Sequence, residues 1–403
     1  MKIETKRGKR KGMIDLQQVI PYFQPIVSAD EQEIWGYEVL GRLNSPSGVK
    51  SLGPFFNDPE EDAELQRRVD QHIRQSALQR FAKVENKNTH LFININPDWL
   101  QMDWQDGDKD WISKHGVDPK QVVLEVTEFL FLIKEKELIE MLDYYRKLGC
   151  KIAIDDVGKG FSNLDRIASF HPDILKVDIL LLKNSTHSKS FMDVLQSLSV
   201  LARKMGASLL FEGIETQSEL QNAWKSGGRF YQGYLFGRPN SSFQELYASA
   251  KKEIVHMIDQ LIEAELTAWK NQFELEHSLN QTLKRIQSSI STMSDPMVYL
   301  SDLAAYMKDF CYRVYVCDDK GYQKTDNFIL SKGKWRQQPE YKGKNWSWRP
   351  YFVYNIARMK MERRGMLSEP YPDLETNLLI RTFSYPIDRG YLFMDIMIDS
   401  KKE

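Results

Sequence analysis

The sequence predicts an α/β protein built around a closed (β/α)8 barrel. From about residue 21 to residue 239, short apolar runs typical of strands alternate with amphipathic stretches typical of helices. Three of these helices, predicted over residues 134–148, 191–205 and 217–226, are each followed by glycine, which is favoured just past a helix end. Strand, helix and glycine repeating in this order indicate a parallel sheet covered by helices.

Polar residues end many of the predicted strands, and they decide between two parallel folds. An open doubly wound sheet gathers its ligand at one switch point, usually with a glycine-rich fingerprint of the form GxGxxG, whereas a barrel brings many strand ends to one face. The sequence has no GxGxxG and many polar strand ends, so the barrel is favoured. These ends are Asn94, Glu125, Asp155, Asp156, Asp178 and Glu212.

The segment after the predicted barrel changes character twice. Between Pro239 and Pro296 there is neither glycine nor proline, and apolar residues recur at steps of three and four, which predicts a long amphipathic helix. Such a sustained apolar stripe is commonly buried between two copies, so we expect a homodimer.

The remainder of the chain is predicted to be an α+β domain. Its predicted strands lie at 313–317, followed by a turn at 318–321, and at 391–398. The predicted domains are a basic tail at 1–14, the barrel at 15–242, the linker helix at 243–292 and the last domain at 293–403.

Composition excludes several classes of protein. With 42% hydrophobic and 28% charged residues among 403, the chain is of ordinary globular composition, and its formal net charge of -1 gives no pull toward nucleic acid. The three cysteines are too scattered for a disulfide framework, which indicates a reducing compartment. No apolar stretch approaches the roughly 18 residues that span a bilayer, and the N-terminus lacks a signal peptide's apolar core. We therefore expect a cytoplasmic protein that binds no membrane, with the basic run at 6–11 as part of a solvated tail.

The polar residues at the strand ends form a chemically coherent set. Glu38, Asn94, Glu125, Asp155, Asp156 and Glu212 offer carboxylate and amide oxygens, with Lys176 as the nearest cation. Oxygen ligands without histidine or cysteine suit Mg²⁺ or Mn²⁺. Because side chains alternate at a strand end, one of two adjacent aspartates can bridge two ions while its neighbour reaches only the outer one. Two ions about 3.5–4 Å apart can hold a phosphodiester, activate a water and stabilise the leaving oxygen.

Helix capping is the simpler explanation for any one of these acidic residues, and Asp178 is the member with nothing else to recommend it. Five or more polar residues that each close a separate strand of one barrel are hard to produce by capping alone. The set therefore predicts a metal site.

Eight motifs, taken in order, resemble those of EAL-domain cyclic-di-GMP phosphodiesterases over about residues 15–240. The motifs lie at residues 22–26, 37–42, 94–97, 124–128, 155–162, 175–178, 212–216 and 232–236. The resemblance implies a barrel whose first strand runs antiparallel to the rest. It also implies hydrolysis of cyclic-di-GMP to linear pGpG with two Mg²⁺ or Mn²⁺ ions.

The resemblance assigns a role to each matching residue. Glu38, Asn94, Glu125 and Asp155 would bind the first ion, and Asp155 and Asp156 the second. Lys176 would position the attacking water and Glu212 would be the general base. Gln24, Leu40, Arg42 and Gln232 would line the dinucleotide site, and Glu128 and Glu215 would support it, Glu128 by anchoring the loop after Asp156.

The chain departs from the family pattern in two motifs. The usual Glu-Ala-Leu reads Glu38-Val39-Leu40, and in the loop at 155–163 the usual phenylalanine and threonine are Val157 and Lys159. These changes leave a second interpretation open, a cyclic-di-GMP receptor with little or no hydrolysis. The retained base and lysine favour the enzyme. A third interpretation is an enzyme that abstracts a proton in a magnesium-dependent barrel. Such an enzyme needs one ion, so it does not require the adjacent aspartate pair.

The last domain resembles PAS-like and Cache-like sensor domains. The residues that carry this resemblance lie at 346–352, 368–373 and 382–387, and they are rich in aromatic residues and proline. The resemblance implies a pocket for a small ligand that regulates the barrel. The alternative is a ligand-free dimerisation module whose aromatic residues form its core.

Overall fold

A computed structural model of the chain divides into two compact units, Met1–Leu261 and Ile262–Glu403, called here the barrel unit and the C-terminal unit. The residues that the structure describes are 2–4, 13–86, 88–127, 134–158, 164–243, 248–289, 296–307, 311–349, 351–373, 375–376 and 378–397. No helix within these ranges is both long enough and apolar enough to cross a membrane.

Eight strands close the barrel predicted from the sequence. They are β1 Val19–Ser28, β2 Ile34–Ser45, β3 His90–Ile95, β4 Val122–Thr127, β5 Lys151–Val157, β6 Ile174–Val177, β7 Ser208–Phe211 and β8 Gly228–Gln232. Strands β2 to β8 are parallel to their neighbours in this order, and β1 closes the ring by pairing antiparallel with both β8 and β2. The predicted barrel and its antiparallel first strand are therefore confirmed. A short strand, Gly48–Ser51, forms a hairpin with β2.

Helices cover the outside of the barrel. They are Gly53–Phe56, Ala63–Phe81, Pro97–Gln105, Glu135–Leu148, Leu164–Phe170, Ile179–Ser185, Lys189–Met205 and Gln217–Lys225. The three helices predicted from the sequence are among them, with ends that differ by one or two residues. Two of them end as expected at Gly149 and Gly206, whose φ angles of 108° and 74° lie in the left-handed region that glycine adopts at low cost.

The N-terminal segment differs in part from the predicted tail. Met13–Asp15 pairs antiparallel with Lys2–Glu4, and Ile14 is buried against the outer core of the barrel unit. Ile14 is buried by residues that are distant in the sequence. The basic run next to it suggested a solvated tail, so this burial could not be predicted from the local sequence. The basic run at 6–11 lies outside the described residues.

The linker helix is continuous over Ala248–Ser289, about 63 Å long at about 1.5 Å per residue. Its first part belongs to the barrel unit, where Ile254 and Ile258 are buried. Its later part belongs to the C-terminal unit, where Leu279 and Leu283 are buried in that unit's own core. Of the predicted range 243–292, residues 244–247 and 290–292 lie outside the described residues.

The C-terminal unit is an antiparallel sheet with helices. Its sheet, in spatial order, contains Lys334–Gln338, Asn327–Ser331, Arg313–Cys317, Gly390–Met397, Leu379–Ile387 and Met366–Leu367, and Tyr371–Pro372 also pairs with Leu379–Ile387. The predicted strands at 313–317 and 391–398 are present, although Ile398 lies outside the described residues. Further helices span Pro296–Met307 and Phe352–Glu362.

Both faces of the strand Arg313–Cys317, in the middle of this sheet, are buried. Val314 and Val316 pack into one hydrophobic cluster, together with residues of the linker helix. Tyr315 and Cys317, which alternate with them, pack into a second cluster with the helix Phe352–Glu362. Alternate residues of one strand therefore serve two cores, as the period of a strand requires.

Candidate active site

A layer of apolar side chains fills the barrel and sets the position of the residues above it. One residue from each of the eight strands belongs to this layer, and all are buried. They are Ile26, Trp35, Phe92, Val123, Ala153, Ile174, Leu210 and Phe230. Such layers of inward side chains close the interior of a barrel, which leaves only its end for a polar site.

The candidate site lies directly above this layer because side chains along a strand alternate with a period of two. In six parallel strands, β3 to β8, the residue two positions beyond the apolar layer is polar. These residues are Asn94, Glu125, Asp155, Lys176, Glu212 and Gln232. All six strands are parallel, so the six side chains share the end of the barrel that carries active sites in this architecture.

Lys176 is the centre of the polar layer. Its Nζ lies 2.6 Å from Glu212 Oε1 and 2.7 Å from Glu125 Oε1. Asp155 Oδ1 is 3.2 Å away and Glu38 Oε1 is 3.6 Å away. The side chain of Lys176 is fully buried. A buried ammonium group is stable inside a protein only when carboxylates or other acceptors pair with it. Four carboxylates from four strands therefore converge on one cation.

Glu38 joins this cluster to the first strands of the barrel. Its Oε1 accepts a hydrogen bond from Asn94 Nδ2 at 3.1 Å, and its Oε2 accepts one from Gln232 Nε2 at 2.5 Å. Gln232 Nε2 also lies 3.2 Å from Gln24 Oε1. Gln24 and Glu38 are direct partners in the β1–β2 register, so strand pairing delivers both to the same place.

The two adjacent aspartates differ in backbone conformation. Asp155 continues strand β5, whereas Asp156 has a φ of 59°, in the left-handed region that is costly for most residues. The Asp156 N–H donates to Asp155 Oδ1 at 2.8 Å. Strain of this kind, of order 1–3 kcal/mol, is typical of functional sites.

The electrostatics of the cluster follow from its burial. Burial raises the pKa of Glu125 well above its ordinary value, against the opposing effect of Lys176. Burial likewise raises the pKa of Glu212 to about 8, again against the effect of Lys176. Burial alone would lower the pKa of Lys176, but Asp155, Glu125, Glu212 and Glu38 raise it well above its ordinary value. The lysine therefore stays charged at neutral pH.

The oxygen atoms of the polar layer suit hard divalent ions, because carboxylate and amide oxygens are the ligands that such ions prefer. One of these atoms, Glu125 Oε2, is buried without a hydrogen-bond partner in the part of the chain that the structure describes. As they stand, no three acidic, histidine or cysteine side chains among the described residues are arranged around one ion position. The Lys176 ammonium lies among these carboxylates and balances part of their charge.

We expect ion binding to release protons. Glu212, whose pKa burial raises to about 8, carries a proton near neutral pH, and a cation bound beside it favours the ionised form. The affinity for Mn²⁺ should therefore rise as pH increases from about 6 to about 8 and then level off. Calorimetry in two buffers of different ionisation enthalpy measures the released protons, and Glu212→Gln should release fewer. An affinity independent of pH would contradict the raised pKa values.

A cleft beside the cluster offers room for a substrate. It has a volume of about 360 Å³, and Leu40, Arg42 and Asn94 line it together with Phe56 and Trp99. Arg42 is half-buried, and its Nη1 donates to the Gly41 carbonyl oxygen at 3.0 Å. The cleft thus combines a cation, an amide of the polar layer and aromatic surface.

The sequence did not single out the two aromatic residues of this cleft. Trp99 lies in the first turn of the helix Pro97–Gln105, whose cap is Asn96, and the Asn96 side chain accepts hydrogen bonds from the N–H groups of Asp98 and Trp99. The signal was present, because an asparagine followed by proline marks a helix start. What the sequence could not reveal is that this start faces the cleft.

The remaining predicted residues have different surroundings. The Glu215 carboxylate is exposed and lies 3.7 Å from Lys183 Nζ. Asp178 caps the helix Ile179–Ser185, and its side chain accepts from the Leu180 N–H at 2.7 Å, so the capping interpretation of Asp178 is confirmed. Glu128 and Lys159 lie outside the described residues.

Comparisons with protein families match both parts of the chain. Residues 9–239 match the EAL domain family. Residues 247–400 match a family described as an EAL-domain associated signalling protein domain.

Individual proteins are similar over different lengths. The chain is 41% identical over 393 residues to YkuI, an uncharacterized EAL-domain containing protein of Bacillus subtilis (strain 168), with 95% of each covered. It is 29% identical over 221 residues to the cyclic di-GMP phosphodiesterase RocR of Pseudomonas aeruginosa, which covers 54% of this chain and 56% of RocR.

Solved structures of EAL-domain proteins are also similar to this chain. The crystal structure of Bacillus subtilis YkuI, in complex with substrate c-di-GMP and calcium, has a TM-score of 0.89 at 40% identity and covers 96% of this chain and 98% of YkuI. A manganese and cyclic-di-GMP complex of Klebsiella pneumoniae BlrP1 has a TM-score of 0.51 at 28% identity and covers 61% of each chain. The similarity to YkuI therefore extends through both units, and that to BlrP1 is partial.

Proposed function

The chain belongs to the EAL-domain family, and from this membership we propose that its barrel hydrolyses cyclic-di-GMP to linear pGpG in a reaction that depends on divalent cations. One observation carries the proposal: Lys176 and four carboxylates from separate strands meet above the apolar layer of the barrel. The complex of YkuI with c-di-GMP and calcium supports the choice of ligand. The similarity to RocR supports hydrolysis.

The ions would be held by Glu38, Asn94, Glu125 and Asp155, with Asp155 and Asp156 serving a second position. When bound, two Mg²⁺ or Mn²⁺ ions supply Lewis-acid polarisation of the phosphodiester and stabilise the charge that develops on its oxygens. Of the chain's own groups, Glu38 is fixed by hydrogen bonds from Asn94 and Gln232, so its carboxylate is oriented in advance. That orientation lowers the cost of assembling the site.

Glu212 has the position expected of a general base. Its side chain is 23% exposed, whereas that of Glu125 is fully buried, so Glu212 is the one of this pair that can reach a water in the cleft. Because burial raises its pKa to about 8, the ionised form of Glu212 is a proton acceptor of useful strength near neutral pH. Lys176 Nζ, 2.6 Å from Glu212, would hold the same water by a charge-assisted hydrogen bond.

The dinucleotide would bind in the adjacent cleft. The Arg42 guanidinium would contact a phosphate, because planar guanidinium pairs with phosphate by two hydrogen bonds. Phe56 and Trp99, which line the same cleft, offer flat surfaces on which a guanine base can stack.

Incubation of the purified chain with cyclic-di-GMP and either Mg²⁺ or Mn²⁺ tests the proposal. We expect pGpG to form, as followed by chromatography, and to be absent when the ions are removed by EDTA. Tight binding of cyclic-di-GMP without any pGpG under both ions would reject the phosphodiesterase and favour the receptor.

We further propose that the protein is a homodimer and that the linker helix carries the state of the C-terminal unit to the barrel. Ile262, Leu266, Trp269 and Phe273 follow one another along this helix at steps of three and four. Leu266 is 65% exposed and Phe273 is 60% exposed. An apolar stripe of this spacing is typical of a helix that pairs with a second copy.

Charges placed on this stripe should break the dimer. In a variant with Leu266→Glu and Phe273→Glu, each lost apolar side chain removes about 1.5–3 kcal/mol of burial in each copy. We expect the mass in solution, measured by light scattering, to fall from dimer to monomer. Asn271→Glu, on another face of the same helix, is the matched control and should stay dimeric. A monomeric parent protein would contradict the pairing.

A further inference from the structure

A cavity in the C-terminal unit has the composition of a ligand site. Its volume is about 430 Å³, within the range of small-molecule pockets. The rings of Trp348, Tyr351 and Tyr371 form much of its lining, and Pro370 and Pro372 complete the apolar part. The cavity also contains one arginine, Arg349.

Arg349 is buried, with only 8% of its surface exposed. Its Nη1 donates to the hydroxyl of Tyr351 at 3.0 Å and to that of Tyr371 at 3.2 Å, and its guanidinium lies 4.6 Å from the ring centre of Trp346. Within the described ranges of the chain, no carboxylate lies within 4.0 Å of this guanidinium. Its neighbours are therefore neutral phenols and indoles.

Arg313, a second buried arginine of the C-terminal unit, has the opposite surroundings. It binds Asp373 through two hydrogen bonds of 2.8 and 3.1 Å, and it also binds Asp395 and Glu375, each at 3.1 Å. The acidic residues of this region are thus already engaged by Arg313. A buried cation is costly unless an anion pairs with it, and these residues make no ion pair with Arg349 within 4.0 Å, although Asp395 lies close enough for its charge to be felt.

The phenols beside Arg349 are held as hydrogen-bonding groups. The hydroxyls of Tyr351 and Tyr371 lie 3.2 Å apart, and that of Tyr371 lies 2.5 Å from Thr382 Oγ1. Thr382 in turn donates to Asp395 Oδ1 at 2.6 Å. Burial raises the pKa of Tyr371, which keeps its hydroxyl protonated. Because the Thr382 proton goes to Asp395, the Tyr371 hydroxyl donates to Thr382, which leaves the Tyr351 hydroxyl as the phenol that can donate to an acceptor beside the guanidinium.

We propose that this cavity binds a small organic monocarboxylate with an apolar body. The carboxylate would pair with the guanidinium of Arg349 and accept a hydrogen bond from the Tyr351 hydroxyl, since charge-assisted pairs of arginine and carboxylate are strong and directional. The apolar body would lie against Trp348, Pro370 and Pro372. Glu369, which is exposed and also lines the cavity, disfavours ligands with several negative charges.

Calorimetric titration of the full chain tests this inference with defined probes. The probes are benzoate, phenylacetate and hexanoate, with benzyl alcohol as a neutral counterpart and inorganic phosphate as an anion without an apolar body. We expect saturable binding of at least one carboxylate, with a dissociation constant on the order of 1 mM for ligands of this size. Benzyl alcohol and phosphate should bind at least about tenfold more weakly.

Two variants and a control identify the site. Arg349→Gln should weaken the binding of the carboxylate by about tenfold or more, since it removes the charge. Trp348→Ala, at a side chain that is 63% exposed and so does not threaten folding, should also weaken it. Arg336→Gln, at an exposed arginine of the strand Lys334–Gln338, should leave it unchanged. The inference is overturned by any of three results: no saturable carboxylate binding, equal binding to Arg349→Gln with the melting temperature preserved, or phosphate binding as tight as that of the carboxylates.

Discussion

Replacing Glu38 with alanine is expected to abolish the hydrolysis of cyclic-di-GMP. Glu38 is the proposed ion ligand that also accepts hydrogen bonds from Asn94 and Gln232 and lies 3.6 Å from Lys176. Truncation removes the ligand and leaves the half-buried Asn94 amide without this acceptor, a cost of about 1–3 kcal/mol, while the buried Gln232 amide keeps only Gln24 Oε1 at 3.2 Å. Together with the lost cation binding, the rate should fall by more than about 10³-fold, which corresponds to roughly 4 kcal/mol.

Two further variants separate catalysis from folding in this experiment. Glu38→Gln keeps the shape of the side chain and removes its charge, so it should lose activity with a smaller loss of thermal stability. Glu31→Ala, at an exposed acidic residue in the turn before the same strand, should keep full activity. Turnover by chromatography and metal-dependent binding of cyclic-di-GMP by calorimetry are both measured. Unchanged turnover in Glu38→Ala would remove Glu38 from the set of ion ligands.

The barrel could be predicted from the sequence because its signals are local. A glycine such as Gly149 or Gly206 ends a helix by its own backbone freedom, and each strand is a short apolar run with a polar end. Asp178 was correctly assigned to a cap, since capping also depends on neighbours in sequence. The pairing of β1 with both β8 and β2 is a long-range property, and it was predicted only by the resemblance to a known family.

The candidate site was predictable in composition but not in arrangement. The polar strand ends identified Glu125, Asp155 and Glu212 as neighbours, because parallel strands end together. Nothing local indicated that Lys176 would approach four carboxylates at once, since this depends on the register of separate strands. For the same reason, the sequence drew attention to neither Trp99 nor Phe56, whose positions at the cleft depend on packing.

Replacing Glu212 with glutamine should lower turnover by about 10²–10⁴-fold while the affinity for cyclic-di-GMP is retained, the usual result of losing a general base. The glutamine has the same shape, and its carbonyl oxygen can still accept a hydrogen bond from Lys176, which lies 2.6 Å from Glu212 Oε1. What it lacks is the ability to take a proton. Single-turnover rates and calorimetric binding constants, measured with the same ion, separate these two effects.

The outcome also distinguishes a base from an ion ligand. A base acts only as the transition state forms, so its loss lowers the rate constant and leaves binding unchanged. An ion ligand acts before substrate arrives, so its loss weakens ion binding, dinucleotide binding and turnover together, as expected for Glu38→Ala. Glu85→Gln, at an exposed carboxylate in the loop before β3, controls for the change of charge. If Glu212→Gln lost affinity and rate in equal measure, Glu212 would belong with the ligands, and Lys176 would be left without its proposed partner in activating the water.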